Sequence, residues 1–179
     1  MIIGFCGAIG AGKSSAASHL IANYDFKRVA FAGPLKAMAR AFGLSESQVN
    51  GDQKEIASDL ICGRTPRQFM QFLGEEFGRR LIGPEIWVRA WRAQAVAYPN
   101  VVADDVRYPN EVAAINDLGG VVVRIVRDGV EPVVSHASER QALSADFTLL
   151  NSGGIGDLTR NIDRLYARIL NGLNGTVWE

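Results

Sequence analysis

The chain has 179 residues, 47% of them apolar, which suits one globular domain around a single core and excludes a disordered chain. Lysine plus arginine equals aspartate plus glutamate at 19 each, so the overall basic balance of a duplex-binding protein is absent, although a local basic site is not excluded. No apolar run approaches the ~20 residues of a bilayer-spanning helix, no basic region precedes the first apolar run, and Cys6 and Cys62 have neither metal nor redox spacing. The expected setting is cytoplasmic, with no membrane partner and with Cys6 as a small core residue.

In chain order, Met1 to Cys6 is an apolar run that reads as a short buried strand. Gly7-Ala8-Ile9-Gly10-Ala11-Gly12-Lys13-Ser14 follows, and Ser15 to Ala22 reads as a helix. Strand, glycine-rich turn and helix form the setting in which this spacing has a mechanism. The backbone N–H groups from Gly7 through Ala8, Gly10, Ala11, Gly12, Lys13, Ser14 and Ser15 can curl around a polyphosphate, aided by the positive end of the helix dipole. Lys13 adds a full charge at the β- and γ-phosphates, and the Ser14 hydroxyl is placed to ligate Mg²⁺. The pattern implies binding of ATP or GTP.

Phe26 to Phe31 reads as a second strand, broken by Gly33-Pro34, with Pro34 opening a helix through Ala41 or Phe42. Lys36, in its first turn, is either solvated or in reach of a phosphate, because strand ends in such folds meet at the ligand crevice. Ser45 to Gly63 is polar and weakly periodic and predicts short helices and a flap. Thr65 as N-cap, Pro66 at the first helical position and Gln68 at the third make a capping box. The helix from there to Arg80 is expected to turn Phe69, Phe72, Leu73, Glu76 and Phe77 to the core and Arg67, Gln71, Gly74 and Gly78 to another face. Two helical glycines cost about 1 kcal/mol each relative to alanine, so either a planar ligand or another helix approaches that face closely. Pro84 to Ala97 predicts a helix with Trp87 and Trp91 on its core stripe and Arg89 and Arg92 solvated.

Val101 to Asp105 is an apolar strand ending in two carboxylates, the form expected where an acidic group faces Mg²⁺ beside a phosphate-binding loop. Alternation sends Asp104 and Asp105 to opposite sides, and Arg107 follows in the same crevice. Pro109 to Gly120 predicts a helix and its stop, and Val121 to Val126 a fourth strand. The next stretch has loop composition and is expected to form a lid, whose Arg127 and Arg140 are candidates to meet charge on a transferred phosphoryl group. His136 within it reads as a loop or packing residue. Asp146 to Asn151 is a fifth strand, and Asn151 to Gly154 is a candidate contact for adenine. Asp157 is expected to cap a last helix that buries Leu158, Ile162, Leu165 and Ile169. Trp178 near the end suggests partial docking of the tail. Five largely unbroken apolar strands alternating with helices predict an α/β fold with a parallel sheet covered on both faces.

Taken together, these residues resemble the deoxynucleoside monophosphate kinases of phages and prophages, from Ile3 to about Leu158. The resemblance is carried by Gly7 to Ser14, Phe31-Ala32-Gly33-Pro34-Leu35-Lys36, Thr65-Pro66-Arg67 with Gln71 and Leu73-Gly74, Asp105 to Glu111, His136-Ala137-Ser138-Glu139, and Asp146 to Asn151. It implies a three-layer P-loop NTPase fold with a five-stranded parallel sheet, one kinase domain over 1–179, a helical substrate-binding insertion at about 45–97 and a short lid at about 127–141. It implies transfer of the ATP γ-phosphate to a deoxynucleoside 5′-monophosphate, with Mg²⁺. Lys13, Asp105, Arg107 and Arg127 are then expected in the chemistry, with Ser14 and Asp105 at the metal. The loop residues Gly7 to Ser15 and Asn151 are expected at ATP, and Lys36, Arg64, Arg67, Gln71, Asp104, Arg107 and Arg140 at the monophosphate. A homodimer through the tryptophan-bearing helix is left open.

The chain departs from the family at Gly33, where an aspartate is usual, and at Glu75, where a threonine is common. The lost carboxylate at 33 matters less for a phosphate acceptor, already an anion near neutral pH, than for a hydroxyl acceptor, which needs a base. Two rival readings stand beside the first: a kinase for another small metabolite such as dephospho-coenzyme A, and a nucleotide-binding regulatory protein without turnover.

Overall fold

The elements of the computed structural model, which describes residues 1–130 and 143–172, follow in chain order. They are β1 (Ile2–Cys6), α1 (Lys13–Tyr24), β2 (Lys27–Arg28), α2 (Gly33–Ala41), α3 (Glu46–Val49), α4 (Pro66–Phe72), α5 (Ile86–Ala95), β3 (Val101–Ala103), α6 (Pro109–Asp117), β4 (Val121–Val126), β5 (Phe147–Leu150) and α7 (Ile155–Leu170). They divide into two compact units, one made of residues 1–30 with 94 onward, the other of residues 31–93.

The first unit holds the whole sheet. Its five strands are parallel, in the order β2-β3-β1-β4-β5, as the apolar runs predict. The strand before the glycine-rich turn is therefore central, where it is flanked on both sides and buried on both faces. Ile3 and Phe5 point to one face and join a core with Ala16, Ala17 and Leu20 of α1 and Leu158, Ile162 and Leu165 of α7. Gly4 points to the other, where a Cβ would lie 2.4 Å from Ile115 of α6. Helices thus cover both faces. Asp157 sits at the third position of α7 rather than at its cap; Gly154 is the cap, and its N–H donates to the Asp157 carboxylate at 3.0 Å. The second strand is shorter than the sequence predicts, and β3 stops at Ala103, just ahead of the carboxylates.

A polar clasp joins α1 to α7. Asp163 Oδ1 lies 2.5 Å from His19 Nε2 and accepts from the Tyr24 hydroxyl at 2.7 Å. Burial pushes the Asp163 carboxyl up, but the hydrogen bonds from His19 and Tyr24 outweigh it and leave the carboxyl below its usual 3.8. A depressed carboxyl stabilises the fold above the ordinary carboxylate range, and that contribution is lost as pH falls through the folded value. Asp163→Ala is therefore expected to lower the unfolding temperature by about 2–4 °C at pH 7. Thermal scans should show the gap closing in acid; a gap that stays constant to pH 2 is the contrary result.

The second unit is helical. Ala39, Leu44, Val49 and Ile61 form its small core, with Phe69 and Met70 packed against it. The short helices expected between Ser45 and Gly63 are present, and α4 opens with the predicted capping box. Thr65 Oγ1 accepts from Gln68 N at 3.2 Å, and Thr65 N donates to Gln68 Oε1 at 3.1 Å. After Phe72 the helix does not continue as expected. From Leu73 to Ile82 it widens to a π-type turn, closed by Gly83 N donating to Gly78 O at 2.9 Å. Each such turn holds one residue more than an α turn, so spacing by 3.6 no longer keeps residues on one face. Phe72 and Phe77, expected in the core, are 47% and 39% exposed, and Glu76 pairs with Arg80 at 2.5 Å.

The widened turn also settles what the helical glycines approach. Trp87 Nε1 donates to the Gly74 carbonyl at 2.8 Å, and the indole lies where a Cβ on Gly78 would come within 2.4 Å. Helix packing thus accounts for the two glycines. Trp91 is fully buried and stacks on Phe31 with ring centroids 4.5 Å apart. Both indoles are consumed inside this unit. Gly78→Ala forces the rigid indole aside and is expected to cost about 1–3 kcal/mol, readable in a denaturant titration as a lowered midpoint with unchanged slope.

His136 and Arg140 of the expected lid, and Trp178, lie outside the described residues. Among the described residues no helix is long and apolar enough to cross a membrane.

Candidate active site

The turn after β1 folds back through three residues with positive φ, Gly7, Gly10 and Gly12, and α1 starts directly at Lys13. Lys13 curls over the turn. Its Nζ donates to the carbonyls of Gly7 at 2.7 Å and Ala8 at 2.6 Å. Burial pulls the lysine pKa below its usual 10.5, and the positive charge of Arg107 pulls it further; Cys6, Asp104 and Asp105 oppose both. Cys6 itself is buried, and that burial raises its thiol pKa against the pull of Arg124. Ser14 and Ser15 stand exposed at the first turn of the helix.

The carboxylates arrive from the neighbouring strand. Gly4 of β1 is level with Ala103 of β3, so continuing that register brings Asp105 level with Cys6, and Val106 N donates to Phe5 O at 3.3 Å. The two carboxylates have different surroundings. Asp104 Oδ2 is paired with Arg28 Nη2 at 3.2 Å, and the same nitrogen donates to the Ser14 carbonyl at 3.3 Å. Arg28, on the edge strand, thus ties Asp104 to the start of α1; nothing in the local sequence signals this, because the link spans three strands. Asp105 is half-buried, and its charge, like that of Asp104, acts on Lys13.

Arg107 is exposed, and its backbone is fixed. Glu111 Oε2 accepts from Arg107 N at 2.7 Å and from Tyr108 N at 3.1 Å, with Glu111 only 3% exposed. Glu111 was not assigned a role from the sequence; Pro109 at the first and Glu111 at the third helical position carry the signal of a helix start whose carboxylate reaches back. Arg127 Nη1 lies 3.4 Å from the Gly10 carbonyl, at the head of the expected lid. Asn151 is buried, and its side chain donates to the Ala11 carbonyl at 2.9 Å. Lys13, Asp104, Asp105, Arg107, Arg127 and Asn151 therefore all gather at the carboxyl ends of β1, β3, β4 and β5 within the first unit.

Lys36, Arg64, Arg67 and Gln71 belong to the second unit. Lys36 is half-buried in the first turn of α2. Arg67 forms an ion pair with Glu55, the Arg64 guanidinium lies 5.7 Å over the Phe72 ring, and Gln71 is exposed.

The first unit's residues fit a magnesium nucleotide. Among the described residues no group of three or more His, Cys, Asp or Glu is arranged to hold a metal by itself. A metal here would take one hydroxyl, one carboxylate, and phosphate and water oxygens, which is how Mg²⁺ is commonly held.

No family model matches the chain. A relative from Acanthamoeba polyphaga mimivirus, carrying the name "Putative deoxynucleotide monophosphate kinase", is 34% identical over 189 residues, spanning 95% of this chain and 94% of its own. The chain belongs to the deoxynucleotide monophosphate kinase family. It is a nucleotide kinase, and the P-loop resemblance read from its sequence holds, although this relative comes from a giant virus rather than a phage. Two solved structures share the kinase's fold. Shikimate kinase from Aquifex aeolicus matches with a TM-score of 0.55 at 15% identity, over 98% of this chain and 100% of the other. TT1252 from Thermus thermophilus matches with a TM-score of 0.52 at 19% identity, over 98% of each.

Proposed function

We propose that this kinase transfers the γ-phosphate of ATP to a deoxynucleoside 5′-monophosphate, giving the diphosphate. The observation that carries the reading is Lys13: a desolvated ammonium held over the loop carbonyls, beside two carboxylates and Arg107, at the start of a helix. Its hydrogen-bond partners among the described residues, the carbonyls of Gly7 and Ala8, are neutral, and a polyphosphate curled into the turn supplies a full negative charge. The mechanism is positioning plus electrostatics. The loop amides from Gly7 to Ser15 and Lys13 hold the β- and γ-phosphates. Ser14 and Asp105 would hold Mg²⁺, which would supply neutralisation of the phosphate charge. Arg107, its backbone fixed by Glu111, steadies phosphate oxygens in line, and Arg127 meets the charge that develops on the transferred group. Arg64, Arg67, Gln71 and Lys36, all of the second unit, bind the monophosphate; binding would draw Arg67 out of its pair with Glu55.

Gly33 favours a phosphate acceptor. A Cβ there would meet nothing within 4 Å, so the position supplies no carboxylate to take a proton from a hydroxyl. The test is ADP release with ATP and Mg²⁺ across the common ribo- and deoxyribonucleoside monophosphates. Turnover with at least one deoxynucleoside monophosphate above its ribo counterpart is expected; acceleration only by a hydroxyl acceptor, or by none, overturns the reading. The same open space makes Gly33→Asp a tolerated change. A carboxylate in the first turn of α2 complements the helix dipole by about 0.5 kcal/mol, so the variant's unfolding temperature should equal or exceed that of the parent.

A further inference from the structure

We infer that Asn151 is a positioning residue for the phosphate-binding loop and not a contact for the base. The inference rests on the reading of that loop as a polyphosphate site. Three observations converge on it. Asn151 is 6% exposed at the end of β5, where its own N–H donates to the Val126 carbonyl at 2.7 Å, so the sheet fixes its backbone. Its Nδ2 donates to the Ala11 carbonyl at 2.9 Å, across 140 residues of chain. Gly12 packs directly on it: a Cβ at Gly12 would lie 2.8 Å from that nitrogen and 3.0 Å from Leu158 Cδ2.

The consequence follows from peptide geometry. The Ala11 carbonyl and the Gly12 N–H belong to one planar trans peptide and point in opposite directions. Holding the carbonyl toward the buried amide of Asn151 therefore aims the Gly12 N–H away from the core, out of the loop. A donor aimed in advance binds phosphate without first reordering, and this gain is independent of the base attached to that phosphate. An amide reading adenine would have the opposite signature, because it would discriminate bases and ignore a bare triphosphate.

The experiment is a binding titration of ATP, GTP and inorganic triphosphate, each with Mg²⁺, to the full chain and to Asn151→Ala and the shape-matched Asn151→Leu. Thermal unfolding and kcat/KM for ATP are measured alongside. Both variants are expected to bind all three ligands about 3- to 10-fold more weakly, by the same factor, as for one hydrogen bond lost. The ATP-to-GTP ratio should stay as in the parent, and kcat/KM for ATP should fall by the same factor as the affinity. Weakened ATP with unchanged triphosphate makes Asn151 a base contact and overturns the inference. Unchanged affinity for all three, or failure of both variants to fold, makes it a residue of stability alone and overturns it equally. A parent chain that binds none of the ligands refutes instead the polyphosphate reading on which the inference stands.

Discussion

Lys13→Met is expected to cut kcat/KM for nucleotide phosphorylation by at least about 10²-fold while leaving the unfolding temperature unchanged or higher. The two halves have one cause. The ammonium is desolvated, stands near Arg107, and donates to the neutral carbonyls of Gly7 and Ala8, while Asp104 and Asp105 offset its cost only in part. Its pKa is lowered, so the fold favours the uncharged amine more than the unfolded chain does. The sign follows: the folded state bears a cost while the lysine is charged, and that cost disappears as pH rises through the folded value toward 10.5. Methionine keeps the aliphatic stem, removes the charge and so removes the cost. What it also removes is the cation aimed at the transferring phosphate, which no other residue of the loop replaces. Steady-state kinetics and thermal scans of the two proteins at pH 7 and pH 9.5 check both halves. A near-native rate contradicts the role of Lys13; a lower unfolding temperature that does not depend on pH contradicts the electrostatic origin.

The sheet was legible because its signals are local. Largely apolar runs such as Val121 to Val126, broken by Arg124 alone, and the turn from Gly7 to Ser14 each state their own conformation, and five such runs in alternation with helices leave little choice of architecture. The capping box at Thr65 was legible for the same reason. The misreadings arise where distant chain decides. Phe72 and Phe77 fit an α-helical core stripe, but the turns widen from Leu73 and Trp87 packs against Gly74 and Gly78, which sequence periodicity does not report. In the site, Lys13 and Ser14 follow from spacing, but Arg28 and Asn151 act through partners 76 and 140 positions away, Asp104 and Ala11. Their side chains have no motif; only the register of the sheet brings them to the loop. Asn151 shows the distinction well, since its position beside the nucleotide loop was predictable and the direction of its amide was not.

Gly7→Ala is the second large effect expected, and it is structural before it is catalytic. Gly7 has φ of +134°, a conformation that a residue with a Cβ adopts only under strain. A Cβ there would also lie 2.3 Å from the carbonyl oxygen of Ile125. That oxygen belongs to the backbone of β4, a strand paired on both sides, so it cannot yield as a side-chain tip does. Strain and clash together are expected to cost about 2–4 kcal/mol, or roughly 5–12 °C of unfolding temperature for a chain of this size. If the loop shifts to relieve the contact, the Gly7 carbonyl leaves Lys13 and the amides lose their common aim, so triphosphate affinity falls by about 10²-fold, as for several aimed donors lost together. Gly33→Ala is the matched control: the same added methyl meets nothing within 4 Å, and both the unfolding temperature and the affinity should stay within error of the parent. Equal behaviour of the two variants in calorimetric melts and ATP titrations would show that the turn after β1 does not depend on the missing side chain, and with it the account of how the loop is held would fail.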